Sequence, residues 1–124
     1  MNMQQSITAA RVSGPQREAD GSAVLEFRFA AGDPVFAGHF PGRPILPGVF
    51  QMEMVRVAAE LVLGQKFIVR EIAKARFQRP ILPDETIRLA LKLSEKGGFT
   101  HARANFSVNG QAAGETLLIL SRIQ

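Results

Sequence analysis

Apolar and polar positions alternate along much of the chain. From Ile87 to Ser94, Ile87, Leu89, Leu91 and Leu93 interleave with Arg88, Ala90, Lys92 and Ser94. From His101 to Val108, Ala102, Ala104, Phe106 and Val108 fall on one face and His101, Arg103, Asn105 and Ser107 on the other. Leu25, Phe27 and Phe29 alternate in the same way with Glu26 and Arg28. A period of two predicts strands with one buried face. Thr116 to Ser121 is a continuous apolar run, which predicts a strand buried on both faces. Phe67 to Phe77 is a further strand candidate and Ile7 to Val12 a weaker one, so the chain is expected to begin almost at its first strand. Asp20-Gly21, Gly97-Gly98 and Asn109-Gly110 lie between such runs and predict hairpins.

One segment has helical spacing. Between Gly48 and Leu63, Val49, Met52, Val55, Ala59 and Val62 recur at steps of three and four and predict the buried face. Glu53, Arg56 and Glu60 fall on another face. Pro47 suits a first turn, where a missing N–H does no harm, and Gly64 suits a stop. About six mostly antiparallel strands and one long helix make an α+β domain. The apolar face of the sheet needs a cover, and this helix can supply it. Small Ala102 and Ala104 would let the helix approach closely.

Composition narrows the picture. The 124 residues suffice for a single domain, 1–124, with one core, and a 46% hydrophobic content fits a soluble globule. The absence of Cys excludes disulfides and thiolate metal sites, and two His leave little scope for a His-rich one, so no metal is expected. Met1 to Gly14 has no apolar core of a secretory signal, and no run approaches the ~18 apolar residues of a membrane span. The expectation is a cytoplasmic protein with no membrane partner. The net charge of +4 and the pI of about 10.3 favour an acidic partner. Nucleic acid is not expected, because the basic residues are dispersed and no Trp or Tyr interleaves with them as a stacking platform. An acidic carrier protein or a phosphorylated cofactor arm fits the charge.

The chemistry concentrates in Gly38-His39-Phe40-Pro41-Gly42-Arg43-Pro44-Ile45-Leu46-Pro47-Gly48-Val49 and the helix behind it. Pro41, Pro44 and Pro47 stiffen the loop. His39 stands on it, and Glu53 follows about a turn and a half into the helix. An imidazole and a carboxylate held this way suit paired base and acid chemistry. The N–H groups of Gly48 and Val49, at the helix start, can stabilise developing negative charge, as on a thioester carbonyl that turns enolate-like.

The pattern His39-Phe40-Pro41-Gly42-x-Pro44-x-x-Pro47-Gly48-Val49-x-x-x-Glu53 resembles the signature of FabZ-type (3R)-3-hydroxyacyl-acyl carrier protein dehydratases, of the hotdog fold. Ile72-Ala73-Lys74-Ala75-Arg76-Phe77-Gln78-Arg79-Pro80-Ile81-Leu82-Pro83 looks like the family's second motif, and Asp33-Pro34-Val35-Phe36 like the lead-in to the His loop. The related dehydratase/isomerase branch carries Asp where this chain has Glu53. The resemblance implies a curved antiparallel sheet wrapped around one central helix. It implies a homodimer, or a larger assembly of dimers, in which His39 of one subunit faces Glu53 of the other. It implies a 3-hydroxyacyl substrate on the phosphopantetheine arm of acyl carrier protein, and no other cofactor. His39 would remove the α-proton, Glu53 would assist departure of the β-hydroxyl as water, and the Gly48 N–H would polarise the carbonyl. The product would be the trans-2-enoyl thioester of fatty-acid, polyketide or polyene-type synthesis.

Two departures stand out: Arg56-Val57 replaces the family's Ala-Gln, and Pro83-Asp84-Glu85 its Pro-Gly-Asp. A cation close to Glu53 would weaken it as an acid. Arg56 is therefore expected to turn away towards Glu60, its i+4 neighbour. Phe40, Phe77, Ile81 and Leu82 are candidates for an acyl tunnel, with core packing as the plainer fate. Arg43, Lys74, Arg76 and Arg79 are candidates for carrier docking, with solvated charge as the plainer fate. His101 is expected to be a structural or surface residue. Two other functions share the fold: an acyl thioesterase, which generally lacks the His39-Phe40-Pro41-Gly42 loop, and a non-catalytic carrier-binding subunit.

Overall fold

A computed structural model describes residues 2–36 and 44–123. Within them the order is α1 (Met3–Ala10), β1 (Arg11–Arg17), β2 (Ala23–Arg28), a short 3-10 turn (Pro34–Phe36), α2 (Gly48–Leu63), β3 (Phe67–Phe77), β4 (Thr86–Lys96), β5 (Phe99–Val108) and β6 (Gln111–Arg122). The strands form one antiparallel sheet in the order β1-β2-β4-β5-β6-β3, packed against α2.

The alternation read from the sequence is the burial of the central strands. Ile87, Leu89 and Leu91 of β4 and Ala102, Ala104, Phe106 and Val108 of β5 all face the core. The β4–β5 and β5–β6 hairpins turn on Gly97-Gly98 and Asn109-Gly110, both residues of each pair at positive φ, the geometry that matches strand twist. The helix spans the predicted residues, Gly48–Leu63, and the Gly64 N–H closes it on the Glu60 carbonyl at 2.8 Å.

Three expectations are corrected. Residues 7–10 are not strand: Met3–Ala10 is a helix, capped by Asn2 and Gln5, whose side chains each bond the other's backbone N–H. It buries Ile7 and Ala10, with Met3 packed against the core, a spacing of one helical face. The run 116–121 is not buried on both faces. Thr116, Leu118 and Leu120 are buried while Leu117 and Ile119 are half-buried, because the helices of this chain cover only one side of the sheet. The buried face of α2 keeps the expected Val55 and Ala59, with Val62 packed against the core, but is shifted from the expected one elsewhere. Gln51, Met54, Val55, Val57, Ala58, Ala59 and Glu60 are buried, whereas Val49 is 52% exposed.

The edge strand β3 pairs only with β6 among the described residues. Only Phe67 of its eleven residues is buried, and Ile68, Val69, Ile72 and Phe77 are exposed. No helix among the described residues is long and apolar enough to cross a membrane.

Candidate active site

The N-terminus of α2 lines a cleft. The loop before it is pinned by the Leu46 N–H, which donates to the Ile81 carbonyl at 2.8 Å. Pro47 caps the helix without a side-chain hydrogen bond, and its carbonyl accepts from Phe50 and Gln51. The N–H groups of Gly48 and Val49 have no partner among the described residues, as expected of a first helical turn. The ring of Phe77, at the end of β3, lies over this turn: a Cβ on Gly48 would fall 2.7 Å from its Cε2. Residues 45–48, Gln51 and residues 77–80 enclose a cleft of about 390 Å³.

Gln51 was not a sequence candidate, although a polar residue one turn after Gly48 in an otherwise apolar helix was the available signal. It is 3% exposed and lines the cleft. Its Nε2 reaches the Leu46 carbonyl at 3.5 Å, and its Oε1 has no partner among the described residues. Gly114 stands beside it on β6, where a Cβ would lie only 2.9 Å from the Arg76 carbonyl.

Glu53 follows Gln51 by two residues, about 200° around the helix, and does not line the cleft. Its partner is Arg56, and here the sequence expectation is corrected. Arg56 does reach Glu60, with Nη1 2.7 Å from Oε2, but it does not turn away from Glu53. Its Nε donates to Glu53 Oε1 at 2.9 Å, and its Nη2 donates to the same oxygen. Nη1 also donates to the Phe67 carbonyl at 3.3 Å, and Nη2 to Gln4 Oε1 at 3.2 Å. One planar group serves both carboxylates because its donors point in several directions at once. The hydrogen bond to Glu53 is the largest influence on Arg56 and, against the opposing effect of burial, holds its pKa above the ordinary value. Glu60, 8% exposed, accepts in addition the Phe67 N–H at 2.8 Å.

Of the other candidates, His39, Phe40 and Arg43 lie outside the described residues. Phe77 lines the cleft; Ile81 is in the core and Leu82 is exposed, and neither lines it. Lys74 and Arg76 both face Glu115, at 2.8 and 3.8 Å, and the Lys74 hydrogen bond holds the Glu115 carboxyl below its usual range. Arg79 lines the cleft and pairs with Glu85 at 2.9 Å, leaving its Nη1 buried and without a partner among the described residues. Burial pushes the Glu85 carboxyl up, but the Leu82 N–H and Arg79 outweigh it and the net shift is downward. His101 is half-buried on β5, between Ser94 and Ile119.

Residues 15–116 match the ApeI-like family, described as ApeI dehydratase. A 3-hydroxyacyl-[acyl-carrier-protein] dehydratase FabZ of Haemophilus influenzae is 38% identical over 99 residues, 73% of this chain and 67% of that one. Among solved structures, the dehydratase heterocomplex ApeI:P from Xenorhabdus doucetiae superposes with a TM-score of 0.72 at 28% identity, covering 89% of this chain and 100% of that one. The E. coli PaaI protein from the phenylacetic acid degradation operon superposes with a TM-score of 0.68 at 15% identity, covering 96% and 89%. At that identity the likeness shows the fold alone, which is the hotdog arrangement of a curved sheet around a helix.

Proposed function

The chain belongs to the ApeI-like dehydratase family, and from this premise we propose that it removes water from a (3R)-3-hydroxyacyl thioester on acyl carrier protein, giving the trans-2-enoyl thioester. The observation that carries the reading is the helix start, where the Gly48 N–H, without a partner among the described residues, shares an apolar-walled cleft with Phe77. A thioester carbonyl bound there gains a fixed donor as it turns enolate-like. His39 takes the α-proton, and Glu53 assists the β-hydroxyl as it leaves as water. The acyl chain and the pantetheine arm run past Phe40, Phe77, Ile81 and Leu82, while Arg43, Lys74, Arg76 and Arg79 guide an acidic carrier. The pathway is fatty-acid or polyketide-type synthesis in the cytoplasm.

Glu53 and the cleft lie on different sides of α2, which supports a site completed by a second chain. The exposed apolar edge of β3 is the natural seam for a homodimer, since an unpaired edge is a template for another strand. Mass spectrometry of carrier-bound 3-hydroxyacyl substrates of several lengths tests the reading. Loss of water by the wild type, abolished in His39→Ala and Glu53→Gln and retained in His101→Ala, is the expected result. Equal loss in His39→Ala and His101→Ala, or release of free acid instead of enoyl product, overturns it.

A further inference from the structure

We propose that Arg56 is a positioning residue that fixes Glu53 as a hydrogen-bond acceptor for the substrate's β-hydroxyl. This rests on the dehydration reading above and concerns the division of labour within it.

The geometry leaves Arg56 no freedom. A guanidinium has five N–H donors, and each has an acceptor here. Nε and one N–H of Nη2 go to Glu53 Oε1, the other N–H of Nη2 goes to Gln4, and those of Nη1 go to Glu60 and the Phe67 carbonyl. These partners come from α1, α2 and the first residue of β3, so the group cannot swing without breaking contacts to three elements. Glu60 is itself held by the Phe67 N–H and approached by Lys66 Nζ at 3.9 Å.

The consequence falls on Glu53. Both bonds from Arg56 end on Oε1, and Oε2 has no partner among the described residues. A carboxylate anchored through one oxygen by a charged donor pair offers the other oxygen as an acceptor. Glu53 Oε2 then takes the hydrogen bond of the β-hydroxyl and orients the Cβ–O bond.

A double-mutant cycle on the full chain tests this, with Arg56→Met, Arg56→Lys, Glu53→Gln and the Glu53→Gln/Arg56→Met pair assayed for water loss. Arg56→Met is expected to lower kcat by about 100-fold with KM little changed, as for a misplaced catalytic group. Arg56→Lys, which keeps the charge but not the fork, should recover about tenfold of that. In the Glu53→Gln background Arg56→Met should cost nothing further, because Arg56 acts only through Glu53. Equal losses in both backgrounds would show a merely structural arginine. A rise in kcat in Arg56→Met would show that Glu53 donates a proton once released. Either result overturns the proposal. An NMR readout needs no turnover: the Arg56 Nε–H proton should move upfield in Glu53→Gln. An unmoved resonance removes the clamp even if the wild type proves inactive on thioesters, an inactivity that by itself counts against the dehydration reading alone.

Discussion

The Phe77 ring lies against the first turn of α2 at Gly48, with no room for a methyl group between them. Strand end and helix start, far apart in sequence, thus make one wall of the cleft. Gly48→Ala should push the ring aside and move the backbone donor. Because the ring is 47% exposed and free to shift, we expect less than about 1 kcal/mol of destabilisation and at least a tenfold loss of turnover. Adding Phe77→Ala removes the clash, so the double variant should cost less than the sum. Thermal melts and the water-loss assay together check this.

Glu60 should matter more for the fold than its place on a helix suggests. Glu60→Ala removes the acceptor for the buried Phe67 N–H and one anchor of Arg56. The expected cost is about 2–4 kcal/mol. Glu60→Gln, which keeps an acceptor, should cost less than half of that. Urea unfolding of both variants decides it.

Asp84 occupies a backbone conformation that side chains disfavour, with φ of 65°, where the related motif carries Gly. Its N–H is tied to the Phe29 carbonyl at 2.8 Å, so the turn cannot relax. Its exposed ion pair with Arg28 is long, at 3.7 Å, and contributes little. Asp84→Gly should therefore stabilise the chain slightly, by about 0.5 kcal/mol, and leave turnover unchanged. A fall in Tm would show that the Arg28 contact outweighs the backbone strain.

The Lys74–Glu115 pair gives a pH signature. The Glu115 carboxyl is held below its ordinary value of 4.5, first by the Lys74 hydrogen bond. A lowered folded pKa contributes stability that is present above the unfolded value and fades as pH falls through the folded one. The gap in Tm between wild type and Lys74→Met should be largest near neutrality and close on acidification. A gap that widens in acid would contradict the assignment.

Ile72, 50% exposed at the middle of β3, tests the proposed seam. Ile72→Lys should leave the circular dichroism spectrum intact, convert dimer to monomer by light scattering, and reduce turnover by more than about tenfold. A wild type that scatters as a monomer, or that gains turnover only on adding a second, different hotdog chain, would replace the homodimer.

The elements most legible in the sequence were those whose burial is one-sided and local. The alternation in β4 and β5 reports directly which face is covered, and the three-and-four spacing of Gly48–Leu63 reports the extent of the helix. Helix α1 was missed because eight residues, half of them polar, are too short a run to show a helical period and rest on tertiary packing of Ile7 and Ala10. Its signals, the Asn2 and Gln5 cap and the Met3, Ile7, Ala10 spacing, were present but short. The buried face of α2 was misread where polar residues are buried with long-range help. Glu60 goes inside because Phe67, beyond the helix, brings an N–H to it. Arg56 was misread because a choice between i+3 and i+4 was assumed, and its guanidinium takes both. The contact of Gly48 with Phe77 leaves no local trace at either position.

The bare edge of β3 has a consequence for how the enzyme behaves on dilution. If that edge is sealed only by another chain, folding stability includes a mass-action contribution and depends on protomer concentration. Specific activity would then fall below a threshold concentration instead of staying constant per mole of chain. Near that threshold, excess inactive chain carrying an intact β3 would draw active protomers into mixed pairs, whereas excess Ile72→Lys chain would not.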